Sequence, residues 1–284
     1  MTEKKKMIIT GATGFIGSAA LRFFRDKGWN VIAFVQSVPA KPESEVVYVK
    51  YDLADVPDEG AFADCDALVH CAYLKNDFET NVNGTKRLLE LSRKHNVKKN
   101  IFISSFSAHP DATSKYGKQK LALEKEFNTG RDCVLRAGVV LGNGGGLFGQ
   151  MKDHVQKGKR IPLIDGGTQP LQIIDVNDLV MIIGKVIEND LQGIFTIARP
   201  EAVTYKEFFI ALGKRFNTKV KFISVPFFLV NWGLAFAELL HLKLPVNREN
   251  VQGLKFIRLR ETKADLEKLN VKLKSFEASL DGLR

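Results

Sequence analysis

Thr10-Gly11-Ala12-Thr13-Gly14-Phe15-Ile16-Gly17 follows directly on the apolar run Met7-Ile8-Ile9. The run reads as a strand, the glycines at 11, 14 and 17 as a tight turn, and Ser18 to Lys27 as a helix. A strand that turns through glycines into a helix lets backbone approach a ligand closely. It also aims unpaired N–H groups and the positive end of the helix dipole at that ligand. The arrangement suits a pyrophosphate, with Gly11, Thr13, Gly14, Phe15, Ile16 and Gly17 expected to line it.

Working outward, apolar runs at 7–10, 30–35, 46–50, 67–71, 100–104 and 132–137 alternate with helical patterns at 18–27, 79–95 and 114–127. The alternation predicts an α/β fold: a Rossmann-type, doubly wound parallel sheet with helices on both faces and right-handed crossovers. Gly142 to Gly146 reads as the loop where the chain leaves the sheet, followed by a helix near 147–158 and short strands at 161–164, 170–174 and 193–198. Asp178 to Glu188 reads as a helix returning to the main sheet. Thr204 and Glu207 form a capping box that opens a helix to about Phe216. The expected organisation is a dinucleotide-binding domain over 1–155, with 171–198 returning to it. A mostly helical substrate lobe then covers 156–284, its last part from Lys219 onward.

The chain of 284 residues is 45% hydrophobic and 26% charged, an ordinary globular balance. Cys65, Cys71 and Cys133 are scattered and fit no metal spacing, so no metal is expected; their low, odd number suits a reducing, cytoplasmic setting. The net charge of +10 comes from dispersed lysines without interleaved aromatics. It reads as a solvated surface that attracts anionic cofactors rather than as a nucleic-acid interface. Residues 226–242 are the most apolar stretch, shorter than the roughly 20 residues of a membrane span. A packed helix is expected there, with membrane-surface contact as the alternative. A monomer or homodimer acting on a small molecule fits these properties.

Tyr116 and Lys120 stand four apart and would share one helix face, just after the fifth strand and its serines Ser104, Ser105 and Ser107. An ammonium beside a phenol favours the phenolate, which would make Tyr116 an acid/base near neutral pH.

Taken in order, these segments resemble the extended and atypical short-chain dehydrogenase/reductases, the group that includes NAD-dependent epimerases and dehydratases. The resemblance spans about residues 1–200. It rests on the glycine spacing, Asp52-Leu53 after the third strand, and Asp66 to Ala72 with its His-x-Ala ending. It continues through Asn81-Val82-Asn83-Gly84-Thr85, Ile103-Ser104-Ser105, the Tyr116/Lys120 pair, Leu135 to Gly142 and Gln172 to Asp178. It implies that Ser105, rather than Ser107, binds the reacting oxygen and that Tyr116 moves its proton as hydride transfers at a nicotinamide. Lys120 would bind the nicotinamide ribose and hold the phenol pKa down. Asp52, Leu53, Cys71, Ala72, Tyr73 and Asn81 would complete the cofactor contacts.

Two departures matter. The connection from Phe106 to Lys115 is shorter than in nucleotide-sugar members, which weakens that substrate class. The second strand ends in Val35-Gln36-Ser37, with neither the acid usual for NAD nor the arginine usual for NADP. Gln36 and Ser37 could accept a 2′-phosphate, so the cofactor is read as NADP or NAD, leaning to NADP. The expected function is an NAD(P)-dependent oxidoreductase or epimerase acting on a carbonyl or hydroxyl. The alternative is a catalytically silent dinucleotide sensor or accessory protein.

Overall fold

A computed structural model describes residues 4–75, 77–226 and 257–283. Alternate residues of its first strand, β1 (Lys6–Thr10), part company: Met7 and Ile9 enter one hydrophobic cluster and Ile8 another. This is the two-residue period of a strand buried on both faces. β2 (Asn30–Val35), β3 (Val46–Lys50), β4 (Ala67–His70), β5 (Lys99–Ser105) and β6 (Cys133–Ala137) follow, each within two residues of its sequence-derived bounds. Between them lie α1 (Phe15–Asp26), α2 (Phe78–Lys94) and α3 (Lys115–Glu124). β7 (Val139–Leu141), α4 (Gly146–Gln156), β8 (Arg160–Ile164), β9 (Pro170–Leu171) and β10 (Ile173–Asp175) lead to α5 (Val176–Glu188) and β11 (Gly193–Ile197).

Among the described residues one sheet has seven strands, all parallel, in the order β11-β6-β5-β4-β1-β2-β3. Leu21 and Phe24 of α1 pack on one face with Leu179, Ile182 and Ile183 of α5. Leu88 and Leu89 of α2 and Leu123 of α3 cover the other. The order reverses between β1 and β4, and a crevice opens there at the carboxyl ends of the strands. That is where ligands bind in open α/β sheets.

A third cluster lies away from the sheet. It joins Phe148 and Val155 of α4, Ile161 and Leu163 of β8, and Phe208, Phe209 and Leu212 of α6 (Tyr205–Arg215). Two short helices follow, α7 (Lys263–Lys268) and α8 (Phe276–Asp281), and Phe276 and Leu280 of α8 complete the cluster. The capping box at the start of α6 is present in full, Glu207 N–H donating to Thr204 Oγ1 at 3.1 Å and Thr204 N–H to Glu207 Oε2 at 2.8 Å. It follows the two-residue strand β12 (Val203–Thr204).

The region after Lys219 is not wholly helical. Lys221–Val225 forms β13, parallel to β8, because Val220-Lys221-Phe222 carries the polar–apolar alternation of a strand. The apolar stretch 226–242 lies outside the described residues after Pro226. No helix of the described residues is long and apolar enough to cross a membrane.

Candidate active site

The glycine turn is built as its three positions demand. Gly11 has φ +64°, and a Cβ there would stand 2.9 Å from Ala72 N, so β1 and β4 end in close backbone contact. A Cβ on Gly17 would lie 2.2 Å from Gly11 O, which seats α1 directly on the turn. At Gly14 a Cβ would meet protein at only one point, Gly11 O at 3.1 Å. Gly14 is also the N-cap of α1, with no side-chain cap and no acid in the first turn. The positive end of α1 therefore meets neither a capping side chain nor an acid of its own first turn. The ring of Phe15 turns away and packs beneath the glycine run after β7, 2.2 Å from a Cβ placed on Gly144. Its side chain is structural, leaving the backbone as its route to a ligand; Thr13 is exposed and Ile16 half-buried beside it.

The floor of the crevice is held by a chain of buried hydrogen bonds. Thr85 Oγ1 donates to Asn81 O at 2.7 Å, so it accepts from His70 Nε2 at 3.0 Å. His70 Nδ1 then accepts from the Thr10 hydroxyl at 2.7 Å, and Thr10 Oγ1 accepts from the N–H groups of Cys71 and Ala72, each at 3.2 Å. Such a chain needs a neutral imidazole. Burial, with Lys120 nearby, pushes the His70 pKa down to about 3. His-x-Ala thus fixes the turn at Cys71 and Ala72, both half-buried at the crevice.

Two expected cofactor contacts change role. Both amide hydrogens of Asn81 go to backbone carbonyls, Leu74 O at 2.8 Å and Asp77 O at 2.6 Å, while Oδ1 accepts from Leu74 N. Asn81 clamps the loop after β4. Leu53 is only 3% exposed; Gly84 of α2 sits so close that a Cβ would stand 2.4 Å from Leu53 O. Its side chain belongs to the core beneath α2, and its apolar character reflects that packing.

At the end of β2, Gln36 Nε2 donates to Asp52 Oδ2, while Ser37 stays exposed. The expected acid is missing from β2, but the fold delivers one from the turn after β3. The lean toward NADP loses its ground here, since a carboxylate at this edge repels a 2′-phosphate.

The residues expected to react meet at the carboxyl end of β5. Ser105 ends β5, and its side chain hydrogen-bonds the Tyr116 hydroxyl while also accepting from Ser107 N at 3.2 Å. Ser107 contributes backbone: a Cβ on Gly117 would lie 2.2 Å from Ser107 O, so α3 starts hard against this loop. Ser114 caps α3 by accepting from Gly117 N at 3.0 Å. Tyr116 is 40% exposed, open to solvent at the start of α3. Its ring meets Tyr73 edge-on at 5.4 Å, and the Tyr73 hydroxyl donates to Gln119.

Lys120 is placed differently from expectation. It is 5% exposed, its ammonium donates to Ile103 O at 2.9 Å, and it lies 4.6 Å from the centre of the Phe102 ring and 6.0 Å from that of Tyr116. The phenol pKa is raised, not lowered: burial disfavours the phenolate, and the Ser105 hydrogen bond offsets this in part. Burial also brings Lys120 down to about 8, against the opposite pull of Cys71 and Glu124.

A feature missed in the sequence lies one turn further along α3. Glu124 accepts from Ser104 Oγ at 2.6 Å and from the Arg136 guanidinium at 2.5, 2.9 and 3.1 Å. The spacing Tyr116-Lys120-Glu124 was its only signal, because the partner Arg136 arrives from β6.

Comparison with known proteins bears on the fold and the family. The chain is 29% identical to the bifunctional protein GAL10 of Kluyveromyces lactis, over 44% of this chain and 24% of that protein. It is 26% identical to UDP-glucose 4-epimerase uge1 of Schizosaccharomyces pombe, over 42% of this chain and 44% of that protein. It therefore spans less than half the length of these two relatives. The structure of a Thermotoga maritima UDP-glucose 4-epimerase shares the fold, with a TM-score of 0.75 at 20% identity, covering 98% of this chain and 96% of that one. A family model matches residues 7–198, from β1 through β11, and the chain belongs to that model's family, the NAD dependent epimerase/dehydratase family.

Proposed function

We propose that the chain is a dinucleotide-dependent oxidoreductase or epimerase that moves hydride to or from a carbon bearing a hydroxyl or carbonyl. The observation that carries this reading is the hydrogen-bonded Ser105–Tyr116 pair on the cleft floor, across the crevice from the uncapped end of α1. Gly11, Gly14 and Gly17 with the first turn of α1 would hold the pyrophosphate. Asp52 and Gln36 would face the adenosine ribose, and Cys71, Ala72 and Tyr73 the centre of the dinucleotide. When bound, the dinucleotide supplies the hydride donor or acceptor. Ser105 then orients the substrate oxygen and Tyr116 passes its proton to or from that oxygen. Lys120, behind the ring, adds positive charge to the site.

The relatives' names put nucleotide sugars first among substrates to try. The short 106–115 connection favours a smaller hydroxy or keto compound. A screen of both classes, read by nicotinamide absorbance, tests the function. Turnover with any member supports it, and a protein that binds neither NAD nor NADP overturns it.

The raised phenol pKa sets a pH signature. Tyr116 stays protonated through neutral pH, the form that donates to a carbonyl oxygen. Reduction should be nearly flat through neutral pH, whereas oxidation of a hydroxyl, which needs the phenolate, should rise up to about tenfold per pH unit over that range. Initial rates in both directions check this; a flat oxidative profile contradicts it.

For the cofactor we propose NAD over NADP. Titrating the two side by side should give NAD the tighter binding by about tenfold, or about 1.4 kcal/mol. The Asp52→Asn variant should narrow the gap, and tighter NADP binding by the wild type would contradict the assignment.

A further inference from the structure

The positive charge that looks dispersed along the sequence is gathered in space. Residues 152–160 and 214–221 carry eight lysines and arginines and one acid, Asp153, a balance of +7 against +10 for the whole chain. The first segment runs from the end of α4 into β8, the second from the end of α6 into β13. The two strands start side by side, with Lys221 opposite Arg160. The Lys152 ammonium lies 5.3 Å from the centre of the Phe216 ring, which ties the ends of α4 and α6 together. Asp153 is already paired with Lys157 at 3.2 Å.

Helix C-termini attract cations, which accounts for Lys157, Lys214 and Arg215 at the ends of α4 and α6. It does not account for Lys159, Arg160, Lys219 and Lys221, which lie beyond both helices and are exposed. Setting Arg160 beside Lys221 costs the ribbon like-charge repulsion, which an anionic partner would relieve.

Apolar side chains are exposed among these cations. Ile210 is 37% exposed and shares a face of α6 with Lys214, four residues on. Ile161 and Leu163 of β8 point inward, so Arg160 and Pro162 line the outer side of the ribbon beside Lys221 and Ile223, the last 41% exposed. Between α6 and β13 runs a groove of about 470 Å³, lined by Ile210, Val220 and Phe222 together with Lys214 and Lys219.

We propose that this end of the molecule is a docking surface for an anionic lipid bilayer, its cations facing the headgroups and Ile210 and Ile223 reaching the acyl boundary. Charge complementarity and exposed aliphatic side chains together fit that partner. A nucleic acid would use free ring faces for stacking, whereas the Phe216 ring is half-buried and taken by Lys152 and Arg215. β13 ends at Val225, and the sequence that follows, 226–242, is the most apolar of the chain. The surface shares no residue with the site proposed above and does not rest on that reading.

Flotation of the full chain with vesicles is the test. Equimolar phosphatidylcholine and phosphatidylglycerol should bind it at least about tenfold more tightly than phosphatidylcholine alone, and added salt should weaken that binding. Lys214→Gln with Lys219→Gln and Lys221→Gln should lower binding about a hundredfold, at about fivefold per cation. Ile210→Ser with Ile223→Ser should lower it about tenfold and leave its salt dependence in place. Lys27→Gln with Lys86→Gln and Lys94→Gln removes the same charge from α1's end and from α2, and should stay within about threefold of wild type. Circular dichroism checks folding, and Lys219→Gln alone, in the exposed loop before β13, gives a second reading at about fivefold. Equal loss in the two triple variants would assign the attraction to net charge and overturn the proposal. Equal binding to neutral vesicles, or binding to neither, would overturn it too. So would a chain that ignores vesicles and instead binds a single-stranded oligonucleotide through these lysines.

Discussion

Tyr116→Phe should lower turnover about 10²–10⁴-fold while dinucleotide affinity and fold stay nearly unchanged. The substitution removes one oxygen. The ring keeps its edge contact with Tyr73, and α3 keeps its Ser114 cap and its close seat on Ser107. Ser105 loses a partner but still accepts from Ser107 N, so the stability cost should be about 1 kcal/mol. What disappears is the proposed proton donor at the substrate oxygen; the neighbouring Tyr73 phenol is engaged with Gln119. In the proposed mechanism Ser105 and Tyr116 act on one oxygen, so Ser105→Ala added to Tyr116→Phe should cost less than it does alone. Single-turnover rates with saturating dinucleotide measure both effects. Wild-type turnover by Tyr116→Phe would remove the tyrosine from the chemistry.

The second large effect separates two glycines that look alike in the sequence. In Gly17→Val the new Cβ would overlap Gly11 O, 2.2 Å away, and crowd Gly11 C at 2.8 Å. Both are backbone atoms of a turn pinned against Ala72, so they have little room to move. Such overpacking costs about 3 kcal/mol or more, a large share of a domain's stability, and the variant should be poorly folded. In Gly14→Val the nearest protein atom is Gly11 O at 3.1 Å, a contact that relaxes by a few tenths of an ångström. The side chain then occupies the space before the uncapped N–H groups of α1. Loss of two charge-assisted bonds there is about 3–6 kcal/mol, a hundredfold or more in dinucleotide affinity. Thermal unfolding and dinucleotide titration of both variants distinguish them. Normal affinity in folded Gly14→Val would show that the pyrophosphate sits elsewhere.

The sheet was legible because its strands are short apolar runs bounded by glycine and charge, and buried strands need little else. The Tyr–Lys pair was legible because one helix carries both residues. The electrostatics were not. Glu124 finds Arg136 on another strand, and Gln36 finds Asp52 across the β2–β3 edge, so spacing along the chain holds no trace of either pairing. The packing of Leu53 was hidden for a related reason: the Asp52-Leu53 resemblance says nothing of Gly84, which presses α2 onto the Leu53 side chain. The strand β13 was overlooked because its alternation is brief and its partner β8 lies some sixty residues away.

The contact between Phe15 and the glycine run at 142–146 bears on how this protein could be recombined with its relatives. The chain passes from the sheet toward α4 over the ring of Phe15, and a Cβ placed on Gly142 would stand 3.2 Å from that ring and 2.5 Å from Val176 Cγ1. A crossover placed in the loop after β7, at first sight the natural seam, would cut through a fitted joint. Any chimera that imports a new substrate-side half must bring the residue at position 15 with it, or keep glycine at 142 and 144. The unit of exchange is therefore discontinuous in sequence: the first turn of α1 is inherited together with segments more than a hundred residues downstream.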